Sequence, residues 1–297
     1  MPISDVAFVD TPTLRIGYEE LGDPAGRPVL LLHGFPYDVR SYDRAAPILA
    51  DAGMRVIAPY LRGFGPTRFR SDQTPRSGQQ ASLGRDVIDL MDALGIERAI
   101  VAGYDWGGRA ASVAAALFPE RIDGLVTVSG YPIQDIAGSV EPDLPAEEKL
   151  SWYQYYFHSD RGRRGLERYR EDLCRGLWRD WSPEWAEADT AFADTAVSLH
   201  NPDFVDVVIH SYRHRCGLAE GDPRYDELEE RLARRPAITV PTVSVDSGAD
   251  GFGWFDSSEH ASLFSGSFRR VILPGVGHNP PQEDPAGFGA AVLSLIG

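Results

Sequence analysis

Cysteine is nearly absent from this chain of 297 residues: Cys174 and Cys216 are the only two. They are too few for a disulfide framework and lack the spacing of a metal site, so zinc and dithiol redox chemistry are not expected. No stretch approaches the roughly 18 continuous apolar residues that a membrane span needs. The opening "MPISDVAFVD" carries Asp5 and Asp10 where a secretory leader has a basic and then an apolar run. A cytoplasmic location is the expectation. Positive charge is also in deficit, with 29 Lys and Arg against 44 Asp and Glu and a formal net charge of −15. Nucleic acid and anionic membrane both repel such a chain and are not expected partners. The arginine-rich stretch "RGRRGLERYR", 161–170, is interrupted by Glu167 and followed by Glu171 and Asp172, which reads as a solvated helix face. Repeats and low-complexity tracts are missing, and no segment specifies an oligomeric state.

What is present is a composition 43% hydrophobic, enough to bury a large core. Through the first 130 residues short apolar runs alternate with helical patterns, the signature of a parallel sheet flanked by helices. Strands are expected at 14–18, 29–32 ("VLLL"), 55–58, 99–103 ("AIVAG") and 124–129. Helices are expected near 42–52, 82–94 and 107–117, the last with Ala110, Ala111, Ala114 and Ala115 for close packing on the sheet. Crossovers of this length imply parallel pairing. After Pro132 strand signals vanish for about a hundred residues, in favour of aromatics, charges and helix-compatible spacing. They return at 242–245 and 269–273, before a closing helix near 282–296 that sets Phe288, Val292 and Leu295 on one face. The expected organisation is an α/β core, 1–132 and 238–297, carrying a helical cap, 133–237.

"GYDWGG", 103–108, joins the buried run "AIVAG" to a helical stretch. Asp105 therefore falls on a sharp strand-to-helix turn, the kind that lifts a nucleophile above a sheet, with Gly103, Gly107 and Gly108 giving the crowded flanks room. Helix capping alone also suits aspartate, but does not call for three glycines in this arrangement. A carboxylate is already ionised at neutral pH and attacks a saturated carbon directly, whereas a serine must first lose a proton and suits carbonyls. The expected intermediate is an alkyl ester on Asp105, which water then cleaves.

That second step calls for a base, a group orienting the base, and an oxyanion site. His278, in "LPGVGHNPPQEDP" after the last expected strand, is the candidate base. Asp250 in "VDSGADG" is the candidate orienting acid, with Asp246 as competitor; Asp250 lies in the loop past the strand, where sites form. Either could instead be a turn-forming residue. The backbone N–H groups of Trp106 and Phe35 are the candidate oxyanion donors. His33 and Gly34 read as turn-shaping, and Pro36 follows an X-Pro bond open to either isomer. No metal or organic cofactor is expected, because His278, Asp250 and water complete such a cycle.

The motifs "HGFP" (33–36), "RGFG" (62–65), "GYDWGG", "GAD" (248–250) and "GVGH" (275–278), in this order along the chain, resemble the α/β-hydrolase fold in its Asp-nucleophile branch, most closely epoxide hydrolases. The resemblance implies a mostly parallel sheet flanked by helices, an inserted helical cap, and a small organic epoxide as substrate. It also implies tyrosines that protonate the opening epoxide oxygen. "WYQYYF", 152–157, resembles the first cap tyrosine segment, with Tyr153 as donor, and "HSYRHR", 210–215, resembles the second, with Tyr212. Trp152, Gln154, Phe157 and Arg109 are expected around the substrate, though an aromatic stripe also serves to pack a cap onto a core. Two residues depart from the family pattern: Tyr104 where histidine is usual before the nucleophile, and Tyr60 where aspartate is common.

Two sister groups offer rival readings. Haloacetate dehalogenases clamp a carboxylate with two arginines around the nucleophile; "DWGGR", 105–109, retains only Arg109, and half a clamp binds poorly, so a structural role is expected for it. Haloalkane dehalogenases share the tryptophan after the nucleophile but pair it with a second donor, and Phe35 has no donor in its side chain. A non-catalytic small-molecule receptor would be signalled by loss of a triad residue, and all three candidates are present. A cyclase, in which the substrate's own hydroxyl opens the epoxide, uses the same residues. The pocket is expected to be apolar and aromatic-lined, suiting an organic epoxide better than a charged metabolite.

Overall fold

The computed structural model describes residues 3–253 and 255–296. Among them a nine-stranded sheet organises the chain. Its strands are β1 (Ala7–Asp10), β2 (Leu14–Leu21), β3 (Arg27–Leu32), β4 (Met54–Pro59), β5 (Arg68–Phe69), β6 (Ala99–Gly103), β7 (Ile122–Val128), β8 (Thr242–Ser247) and β9 (Phe268–Leu273). The spatial order is β1-β2-β4-β3-β6-β7-β8-β9, with β5 paired to β2. From β4 to β9 neighbours run parallel, while β1, β2 and β5 form an antiparallel edge. β6 is buried along its whole length, as a strand covered by helices on both faces must be, and this is why it reads as an unbroken apolar run.

Two helix pairs flank the sheet: α2 (Gln80–Ala93) packs on α3 (Asp105–Leu117), and α1 (Ala45–Asp51) packs on α12 (Pro285–Leu293). Between β7 and β8 the described chain forms no sheet strand, and its α-helices, joined by loops, are α4 (Pro145–Leu150), α5 (Trp152–His158), α6 (Asp160–Arg168), α7 (Arg170–Trp181), α8 (Ala188–Thr195), α9 (Phe204–His214) and α10 (Asp226–Leu232). This inserted segment rests on Phe35, whose ring lies 5.4 to 6.5 Å from those of Phe157, Trp181, Phe204 and Tyr212.

The sequence reading differs from this architecture at its margins. The edge strand β1 alternates half-buried and exposed residues, and β5 has two residues, so neither presents an apolar run. The expected closing helix is two: α11 (Pro280–Glu283) ends and α12 begins at Asp284, whose non-helical backbone (φ −138°, ψ 75°) avoids the α region that a following proline disfavours. Leu295 falls beyond α12, yet its side chain still packs close to Gly124.

Candidate active site

The site starts where β6 ends. Asp105 has φ +49°, a left-handed conformation that residues other than glycine seldom adopt. The turn is pressed against the end of β3: a Cβ on Gly107 would stand 1.9 Å from the Leu32 carbonyl oxygen, and one on Gly103 2.6 Å from the Gly107 backbone. Glycine is thus needed at both positions for the turn to close.

The two oxygens of Asp105 face different surroundings. Oδ1 accepts hydrogen bonds from the backbone N–H groups of Phe35 at 2.6 Å and Trp106 at 2.5 Å. The Phe35–Pro36 peptide is cis. Oδ2 stands 3.8 Å from His278 Nε2, and that nitrogen is buried without a hydrogen-bond partner among the described residues. The opposite imidazole nitrogen, Nδ1, bonds Asp250 Oδ2 at 2.8 Å, while Asp250 Oδ1 accepts the Phe252 N–H at 2.9 Å. Asp246 is turned elsewhere, accepting from the Ser257 N–H at 3.1 Å and Arg270 Nε at 2.5 Å, so Asp250 is the carboxylate that meets the imidazole.

Charge follows from this arrangement. Burial opposes a protonated imidazole, but the carboxylates of Asp250 and Asp105 outweigh it and push His278 up to about 10. Burial would raise Asp105 as well; His278, Arg109 and the Phe35 N–H reverse that and hold it below the usual 3.8. His33 is different: burial lowers it to about 4, and its ring bridges the Gly34 carbonyl at 2.9 Å and the Leu61 N–H at 3.1 Å. It shapes a turn. The two departures from the family pattern also point away from the carboxylate, Tyr104 bonding Ser41 Oγ at 2.7 Å and Tyr60 bonding Glu19 at 2.9 Å.

Over the turn lie Tyr153 and Tyr212, edge to face with ring centroids 5.3 Å apart. Tyr212 also stands 5.9 Å from the Trp106 ring, and its hydroxyl is buried with no hydrogen-bond partner among the described residues. The Tyr153 hydroxyl accepts a long bond from Gln154 Nε2, at 3.4 Å. Burial raises both phenols well above their ordinary range, so both remain protonated donors. Phe157 packs 5.3 Å from Tyr212 and completes this roof. Arg109, one helical turn beyond Asp105, bonds the Pro132 carbonyl through Nε at 3.2 Å. Trp152 lies further out. It is 45% exposed and lines, with Leu150, Trp181 and Gly251, a cavity of about 540 Å3 that Trp181 divides from His278.

Several neighbours of the site went unnoticed in the sequence. Trp181 stands 4.8 Å from the His278 ring. Glu283 accepts the N–H groups of Gly277 at 2.6 Å and Asn279 at 3.0 Å, and Ser182 Oγ accepts that of His278 at 3.1 Å. The Arg215 guanidinium lies 4.1 Å from the Tyr212 ring centroid. Only the spacing of Glu283, five residues after the histidine and within the short helix α11, offered a signal. Among the described residues no group of acidic, histidine or cysteine side chains could hold a metal ion, and no helix is long and apolar enough to cross a membrane.

The model of the alpha/beta hydrolase fold matches residues 27–212, most of the chain. This chain belongs to the α/β-hydrolase family. Among solved structures, this α/β-hydrolase is 44% identical to a candidate epoxide hydrolase from Klebsiella pneumoniae, with a TM-score of 0.96 over 98% of this chain and 97% of that one. It is 26% identical to epoxide hydrolase A of Mycobacterium tuberculosis over 97% of its own length and 96% of the relative's. To epoxide hydrolase B of the same organism it is 34% identical, over 63% of its length and 56% of the relative's. It is an epoxide-hydrolase-like enzyme of the α/β-hydrolase family.

Proposed function

We propose that this α/β-hydrolase opens an organic epoxide to a diol through an ester on Asp105, beneath a cap formed by residues 133–237. The observation that carries the reading is the division of labour in one carboxylate: Oδ1 is held by two backbone N–H groups while Oδ2 lies free beside His278. Oδ2 attacks an epoxide carbon, the carbon–oxygen bond breaks, and the ring oxygen takes a proton from Tyr153 or Tyr212. Esterification removes the charge of Asp105, one of the two that keep His278 protonated. The imidazolium then returns its proton to the tyrosinate and becomes a base.

Neutral His278, oriented by Asp250, takes a proton from water as the hydroxide adds to the ester carbon. Negative charge develops on Oδ1, where the Phe35 and Trp106 N–H groups already point. On collapse the imidazolium protonates the departing diol oxygen. The regenerated carboxyl group gives its proton back to the imidazole, restoring the resting pair. Epoxide and water are consumed and only diol is released.

A second reading, dehalogenation through the same ester, is favoured by the buried indole N–H of Trp106, which has no partner among the described residues and could hold a departing halide. One experiment separates them. In His278→Ala the ester should accumulate, and the intact mass should rise by the whole substrate for an epoxide or by substrate less hydrogen halide for a haloalkane. A folded variant that gains no mass from a panel of either class overturns both.

A further inference from the structure

Arg109 and Arg215 come from distant parts of the chain, one from the first turns of α3 and the other directly after α9, yet both lie by the tyrosine roof. Arg109 stands at i+4 from Asp105, on the same face of α3. The Arg215 guanidinium sits 4.1 Å from the centroid of the Tyr212 ring, which also packs against Tyr153, Phe157, Trp106 and Phe35. The two cations feel each other: after burial, the charge of Arg215 is the strongest influence holding Arg109 down, to about 10.

Among the described residues, neither guanidinium has a carboxylate at ion-pair distance. The hydrogen bonds they do make go to neutral groups, Arg109 to the Pro132 carbonyl at 3.2 Å and Arg215 to Ser211 Oγ at 3.3 Å. Nη1 of Arg109 and Nε of Arg215 are buried with no hydrogen-bond partner among the described residues. The Tyr212 ring and the carboxyl end of α9 offset part of the charge on Arg215, but neither satisfies that Nε–H. Two partly buried cations with unmet donors are costly unless an anion joins them. Asp105 supplies a distant counter-charge only while it is ionised, and that is lost once the ester forms.

We infer that Arg109 and Arg215 together bind an anionic group, and that the substrate is an epoxide bearing a carboxylate near its reactive ring. The inference takes the reacting centre at Asp105 from the proposed function. A carboxylate suits two guanidinium donors, and held there it anchors the substrate under Tyr212 while its ring faces Asp105. The arginine from the inserted helices thus supplies what a lone Arg109 lacks. The aromatic lining remains apolar, and the overall charge of −15 does not prevent a local cationic patch.

The test compares matched pairs. For turnover, 3-phenylglycidate is set against its neutral amide; for binding alone, 3-phenylpropanoate against 3-phenylpropanamide, read by calorimetry. In the wild-type protein the carboxylate of each pair should be favoured by about tenfold or more, and Arg215→Gln should erase most of that preference, with Arg215→Lys keeping part of it. Arg109→Gln should do the same, and serves should Arg215→Gln not fold. Amide bound as well as carboxylate by the wild-type protein overturns the inference without any variant, as does a preference that survives in a folded Arg215→Gln. Carboxylate preferred in binding while neither glycidyl compound turns over would remove the epoxide reading and leave the anion site standing.

Discussion

Glu283 accepts a hydrogen bond from Ser182 Oγ at 2.7 Å, tying the short helix after His278 to the residue that follows α7. Together they hold three consecutive backbone N–H groups, those of Gly277, His278 and Asn279. Glu283→Gln exchanges one acceptor oxygen for a donor, leaving buried N–H groups unmet at a cost of about 1–3 kcal/mol. We expect kcat to fall about tenfold through misplacement of the imidazole, since errors near 1 Å at a reacting group cost more than that. The pH profile of ester hydrolysis should shift with it. Unaltered kcat and pH profile in a folded variant would make Glu283 purely structural.

Loss of the roof hydroxyls should be felt in the first chemical step. Tyr153→Phe and Tyr212→Phe should each slow ester formation by about 10- to 100-fold, and together nearly abolish it. Cleavage of a preformed ester should suffer less, because no alkoxide is formed from the ring at that stage. Rapid-quench measurement of both half-reactions checks this. Full-rate esterification in the double variant removes the tyrosines as acids.

The pH dependence of stability has a definite sign. Folding raises His278 from 6.5 to about 10, so its contribution is fully present below about 6.5 and is lost as pH climbs through about 10. Asp105 is lowered from 3.8, so its share is present above that value and fades as pH falls through the native pKa. Thermal melts of the wild-type protein from pH 6 to 10 should therefore decline more steeply than those of His278→Gln. Asp105→Asn should also bring the imidazole titration, followed by NMR, to lower pH. Parallel melting curves for wild type and His278→Gln would contradict the ion cluster.

Two glycines make a matched pair for the turn. Gly107→Ala places a methyl group 1.9 Å from the Leu32 carbonyl oxygen and should cost about 3 kcal/mol or more, or prevent folding. Gly176, inside α7, has open space around the same added atom, and Gly176→Ala should stabilise by about 0.5–1 kcal/mol. Chemical denaturation of the two variants reads both values. Equal stabilities would mean that the contact with β3 does not constrain the turn.

The sequence was most legible where local rules and burial agree. The apolar runs of β3 and β6 stand out because both faces of those strands are covered, and the glycine-flanked aspartate is visible because its turn tolerates little else. Asp250 over Asp246 could be argued from position alone, since a residue inside a strand is spent on neighbours such as Arg270. Contacts across long separations were hidden. Ser182 reaches His278 over 96 residues and Glu283 over 101, and no periodicity encodes such meetings. Arg215, in a run of histidines and arginines, looks like any solvated helix end until the fold sets it against Tyr212.

The unequal setting of the Asp105 oxygens reaches into isotope accounting. With Oδ1 pinned by two amides, the carboxylate has little freedom to flip between cycles, so on the proposed ester route the atom leaving in each diol should always be the one facing the imidazole. Protein recovered after many cycles in heavy-oxygen water should carry a single labelled atom at this aspartate, and diol from the first cycle should carry none.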